Sequence, residues 1–106
     1  MRALALLTLL LAHPAPALPQ RDEDEIAVDG ERAREAVARG EILPLSELLP
    51  RLRAAHPGEV LDIEIDLHPD GRIEEYEFEV LTPEGRLIEV DMDPATGEIT
   101  EVEDED

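Results

Sequence analysis

Leu61-Asp62-Ile63-Glu64-Ile65-Asp66-Leu67 alternates apolar and acidic residues without a break. Tyr76-Glu77-Phe78-Glu79-Val80 and Ile88-Glu89-Val90-Asp91-Met92-Asp93 repeat the pattern. Successive side chains of a strand point to opposite faces of its sheet, so this alternation predicts three half-buried strands. One face is then apolar and the other almost wholly carboxylate. An antiparallel sheet of this kind has one wet face and needs a cover on the dry one. The pattern points to a small domain that binds by its surface and argues against an enzyme.

Turn chemistry sets the register. Pro83-Glu84-Gly85, between Thr82 and Arg86, suits a type I turn closed by a glycine bulge. It pairs Val80 with Ile88, Phe78 with Val90 and Tyr76 with Met92. The earlier loop is ambiguous. A three-residue turn Pro69-Asp70-Gly71 sets Glu64 against Tyr76. A four-residue loop ending at Arg72, or a bulge near Glu74-Glu75, restores Ile65 to Tyr76, Ile63 to Phe78 and Leu61 to Val80. A one-residue slip flips every side chain, so burial selects the second pairing. After Asp93, the turn Pro94-Ala95-Thr96-Gly97 leads to a short fourth strand from Ile99 to Val102.

Two helices are expected upstream. Asp29 is placed to cap a helix from about Gly30 to Arg39, stopped by Gly40, with Ala33, Ala36 and Val37 as a thin apolar stripe. Ser46 is placed to cap a second helix from Glu47 to Ala55. Leu45, Leu48, Leu49, Leu52 and Ala55 share one of its faces. Pro50 is expected at the end of its first turn, and His56-Pro57-Gly58 ends it. The second helix is expected on the apolar face of the sheet.

The N-terminus reads as a targeting segment. Arg2 gives a positive start, and Ala3 to Ala12 is an apolar run too short for a bilayer span of about 20 residues. Ala15-Pro16-Ala17 matches a signal-peptidase site. The expected organisation is a signal peptide at 1–17, a flexible acidic leader at 18–28, an α+β domain at 29–102 and a disordered acidic tail at 103–106. Export to the periplasm or beyond follows, with no membrane span after cleavage.

The 106 residues carry a formal net charge of -19, with nine Arg and no Lys or Cys. No basic patch is present to neutralise phosphates, which excludes nucleic-acid binding by that route. Anionic membranes are disfavoured as well. Cations and basic proteins are the partners electrostatics would steer in.

On the outer face, parity places Asp62, Glu64 and Asp66 beside Glu75, Glu77 and Glu79, then Glu89, Asp91 and Asp93. Like charges on adjacent strands are destabilising, so this face should gain stability from salt, divalent cations or a basic partner. Parity also places Val60, Leu81 and Leu87 there in one apolar row. The first helix, the Ile42-Leu43 connector or a partner protein is expected to cover that row.

Catalytic signals are thin. Ser46 is the only serine, and His56 lies about 15 Å further along the same helix, too far for a Ser-His pair. His68 with Asp66 or Asp93 makes a weak metal set. An open sheet offers no desolvating pocket to separate carboxylate pKa values. No cofactor motif is present, and whether the acidic face takes a metal stays open.

Several segments together resemble the PepSY domain family of small exported bacterial proteins. They are Gly40-Glu41-Ile42, Pro44-Leu45, His56-Pro57-Gly58, Val60 to Glu64, Tyr76 to Val80, Thr82 to Arg86, and Val90-Asp91-Met92-Asp93 followed by Thr96-Gly97-Glu98-Ile99. The final Asp-x-x-Thr-Gly-Glu-Ile run is the most specific part. The resemblance implies two short helices packed on a three- to four-stranded antiparallel sheet. For function it implies a non-enzymatic module that modulates or inhibits a peptidase or another envelope protein. No catalytic residue carries over. The alternative is an acidic divalent-cation-binding protein of the envelope.

Overall fold

A computed structural model describes the backbone of residues 23–105 and the side chains of residues 29–105. The expected signal segment, the first part of the leader and Asp106 lie outside the described residues. Helix α1 (Glu23–Ala38) and helix α2 (Leu45–Ala55) precede strands β1 (Glu59–Leu67), β2 (Ile73–Leu81), β3 (Leu87–Met92) and β4 (Ile99–Asp104). The strands form one antiparallel meander in the order β1-β2-β3-β4. This is the expected α+β arrangement, with the fourth strand present.

The alternating residues sort as their period requires. Tyr76, Phe78, Val80, Ile88, Val90 and Met92 join Leu48 and Leu52 of α2, Ala36 of α1 and Ile42 of the connector in one buried cluster. Phe78, Leu48, Leu52, Val80, Val90 and Met92 are fully buried. Both helices therefore cover the same face of the sheet. Burying a Leu or Phe side chain stabilises by about 1.5–3 kcal/mol each, which offsets the weak propensity of two short helices.

Helix α1 starts earlier than its sequence suggests. It begins at Glu23, so Asp29 and Gly30 lie inside it and Asp29 does not stand at its N-cap. A mid-helix glycine costs about 1 kcal/mol, and Ala33, Ala36 and Val37 packing on the core offset it. At the other end the N–H of Gly40 bonds the Val37 carbonyl and that of Glu41 the Ala36 carbonyl. With Gly40 at φ 73° this is a Schellman stop.

Helix α2 also differs from expectation. Its N-cap is Pro44, with no side-chain cap bond, and Ser46 stands in the first turn. The Pro44 carbonyl accepts from the N–H groups of Glu47 and Leu48, at 2.9 and 3.2 Å. The proline's extended ψ of 153° turns the chain into the helix without help from a hydroxyl. Pro50 consequently sits in the second turn rather than the first. Ala55, the last residue of the helix, is exposed.

The first two hairpins share one turn. His68-Pro69-Asp70-Gly71-Arg72 and Thr82-Pro83-Glu84-Gly85-Arg86 each pair the first and last residue, with Gly71 at φ 89° and Gly85 at φ 83°. The first hairpin keeps its three-residue loop and restores parity with a bulge at Glu74, between the pairs Leu67–Ile73 and Asp66–Glu75. Ile65 then meets Tyr76, and Ile63 meets Phe78. The second register is as expected throughout.

A further bulge overturns one pairing. Val60, not Leu61, stands opposite Val80, and Leu61 is the extra residue. Val60 packs against the core, whereas Leu61 is 41% exposed. The chain reaches β1 through Gly58, whose position leaves only 2.3 Å between a built Cβ and the Leu81 carbonyl oxygen. That close approach sets the phase of the first residues, and the bulge absorbs the mismatch with the alternating run.

The Asp93-Pro94-Ala95-Thr96-Gly97-Glu98 segment ties the two layers together. Asp93 Oδ1 accepts from the Ala95 N–H and Thr96 Oγ1 from the Glu98 N–H. The Pro94 carbonyl accepts from the Leu43 N–H, and the Thr96 carbonyl from Arg51 Nη1 at 2.6 Å. Gly97, at φ 77°, lies beneath Arg51, where a Cβ would come within 2.6 Å of Nη1. The most specific run of the sequence is thus a latch between the helical layer and the sheet. Beyond it, β4 continues through Glu103 and Asp104, which were expected in a disordered tail. The N–H of Glu105 still bonds the Leu87 carbonyl.

Candidate functional site

The outer face is built from cross-strand rows of carboxylates. Asp62, Glu79, Glu89 and Glu103 stand opposite one another across all four strands, and Glu64, Glu77, Asp91 and Glu101 form the next row. Asp66 and Glu75 begin a third. Glu101 and Glu103 were not among the expected face residues. Their alternation around Val102 was legible, but the short strand assigned there hid it.

Two expected members are placed elsewhere. Asp93 lies past the end of β3 and is engaged in its turn. Val60 points to the core, because the Leu61 bulge reverses its parity. Leu81 and Leu87 remain paired on the acidic face and are half-buried. The helices and the Ile42 connector pack on the opposite face, so they do not supply the cover expected for this pair.

Crowding shows in the proton affinities. Glu75 is pushed up to about 7, first by burial, then by a hydrogen bond with Asp91 and the charges of Asp91, Asp66 and Glu74. Glu77 is pushed up to about 8 by a hydrogen bond with Asp66, by burial, and by the charges of Asp66, Glu89 and Asp91. Burial and the Asp91 charge raise Glu89, and the hydrogen bond and charge of Glu101 raise Glu103. Crowding thus raises the proton affinity of neighbouring carboxyls, most for Glu75 and Glu77.

Asp91 lies deepest. It is only 8% exposed, although it belongs to the wet face, and its Oδ1 is sealed from solvent without a hydrogen-bond partner. Carboxylate oxygens of Glu77, Glu89 and Asp91 lie within 4.8 Å of one another, as do those of Asp66, Glu75 and Glu77. An all-oxygen donor set suits hard cations. His68 stands apart, with Nδ1 3.9 Å from Glu74 Oε2.

Several arginines are engaged elsewhere. Arg39 bonds Glu41 at 2.9 Å, Arg72 bonds Asp70 at 2.8 Å, and Arg86 reaches Asp104. These are exposed pairs, worth about 0–1 kcal/mol each. No helix among the described residues is long and apolar enough to cross a membrane.

No curated protein and no solved structure matches this chain. A family model does, and it spans residues 42–103, from the connector before α2 through nearly all of β4. That span takes in the second helix, all three turns and the Asp-x-x-Thr-Gly-Glu-Ile latch, so the chain belongs to the PepSY family, described as the peptidase propeptide and YPEB domain.

Proposed function

We propose that this chain is a non-catalytic, exported binding module that restrains or tunes a peptidase or another envelope protein. Family membership carries the reading, because PepSY domains are propeptide-type and regulatory modules rather than catalysts. The architecture is consistent with it. One face of the sheet is committed to the core, leaving an acidic surface and two strand edges for contact. The edges belong to β1 and β4. Val102 of β4 is 45% exposed and lies beside an open backbone ladder, the arrangement on which an extended partner segment adds a strand.

The test is inhibition in trans. Purified protein is titrated into secreted metallopeptidases freed of their own propeptides, and peptide hydrolysis is followed. Dose-dependent inhibition, with a stoichiometric complex on size exclusion, is expected. A panel of such peptidases left fully active and unbound overturns the reading.

A second reading, an acidic divalent-cation-binding protein of the envelope, is favoured by one observation. The crowded face twice brings carboxylate oxygens from two adjacent strands within a single ion's reach.

A further inference from the structure

We infer that the outer face holds a calcium site made by Glu77, Glu89 and Asp91, an assignment that rests on the cation-binding reading and gives it an address.

Two independent observations meet there. The first is the triad itself, two neighbouring residues of β3's outer face and one of β2, with oxygens within 4.8 Å of one another. The second is Asp91. A buried polar atom without a partner costs about 1–3 kcal/mol, more when charged, and such an atom calls for an explanation. Asp91 Oδ1 is in that position, on a side chain more than nine-tenths buried that contributes to the triad. Glu75 reaches Asp91 by a hydrogen bond, which leaves Oδ1 unanswered. A cation among the three carboxylates would neutralise that buried side chain and screen the repulsion between the rows.

The geometry selects the ion. No imidazole or thiolate joins the triad, so soft and borderline metals have no advantage. Calcium takes oxygens at about 2.3–2.6 Å in irregular shells of 6–8, so oxygens on opposite sides of the ion lie about 4.6–5.2 Å apart. The triad's oxygens, all within 4.8 Å of one another, are close enough to share one such ion. Magnesium demands a near-ideal octahedron at about 2.0–2.1 Å and dehydrates reluctantly, so carboxylates fixed on separate strands suit the more tolerant calcium shell better. With only three protein carboxylates and no preformed loop, the expected affinity is that of extracellular calcium modules, Kd about 10⁻⁴–10⁻³ M.

Isothermal titration of the full-length protein with calcium chloride, and separately with magnesium chloride, tests this at low, fixed ionic strength. Expected are a saturable calcium isotherm with Kd below about 1 mM and at least tenfold weaker magnesium binding. Asp91→Asn and Glu77→Gln should each weaken calcium at least tenfold, while Glu103→Gln, opposite Glu89 on β4 but outside the triad, should change it less than threefold. Both site variants are near-isosteric, and circular dichroism confirms that each is folded. Equal losses in Asp91→Asn, Glu77→Gln and Glu103→Gln would overturn the site while leaving a diffuse cation-attracting face. No saturable calcium binding to the unmodified protein would overturn the site and the cation-binding reading together.

Discussion

Glu77 stands directly opposite Asp91 in the β2–β3 ladder, with both carboxylates on the solvent side of the sheet. Asp66 lies close enough on β1 to share a hydrogen bond with Glu77. The meander therefore concentrates negative charge in its own middle, and the cost appears as carboxyls that keep their protons near neutral pH.

That arrangement makes stability depend on pH in a defined direction. Glu75 and Glu77 titrate near 7 and 8 when folded, against an ordinary 4.5. Between those values the folded chain binds more protons than the unfolded one, so stability falls as pH rises from about 4.5 to 8. Glu41 and Asp70 have lowered pKa values, so their contribution is lost only at more acidic pH. In chelator and at constant ionic strength, the melting temperature should be higher at pH 6 than at pH 9. A difference of about 1 kcal/mol corresponds to about 4–8 °C in a domain of this size. The pH 6 to pH 9 gap should narrow in 1 M sodium chloride, where the screening length is about 3 Å.

Gly58 has no room for a side chain. Its built Cβ meets the Leu81 carbonyl oxygen at 2.3 Å and Val80 Cγ1 at 2.9 Å, and the first of these is sheet backbone that cannot swing aside. Gly58→Ala should destabilise by about 1–3 kcal/mol, the usual cost of overpacking. A urea melt with an unchanged midpoint would show that the helix-to-strand connection is looser than described.

The Leu61 bulge can be tested by a pair of truncations. Val60 packs on the core, while Leu61 is the 41% exposed extra residue. Val60→Ala should cost about 1 kcal/mol or more, at about 0.8 kcal/mol per buried methylene. Leu61→Ser should stay within about 0.5 kcal/mol. Unbroken alternation from Leu61 onward predicts the reverse order, so chemical denaturation of the two variants decides between the registers.

Pro50 is an internal cost in α2. It lies in the second turn, where an N–H would bond the Ser46 carbonyl, and its side chain is exposed. Pro50→Ala should stabilise by about 1–2 kcal/mol. Regaining the helical bond and relieving the ring clash outweigh the added freedom of the unfolded chain, about 0.4–1 kcal/mol. Thermal denaturation measures the gain, and a lower melting temperature would imply that the proline ring contributes packing.

The amino-acid sequence by itself determined the two-faced sheet, the Gly85 hairpin with its register, and the carboxylate face. Each follows from residues close together in the chain, where the period of a strand and the φ of a glycine are local properties. The earlier start of α1, the loss of Ser46 as a cap and the bulge at Leu61 were decided by tertiary structure. They depend on how Ala33, Ala36 and Val37 meet the core and on how closely Gly58 approaches Leu81. The burial of Asp91 belongs to that second group. Its own stretch shows only one more acid in an alternating run, whereas its seclusion comes from carboxylates on neighbouring strands, and bringing those together takes the folded sheet.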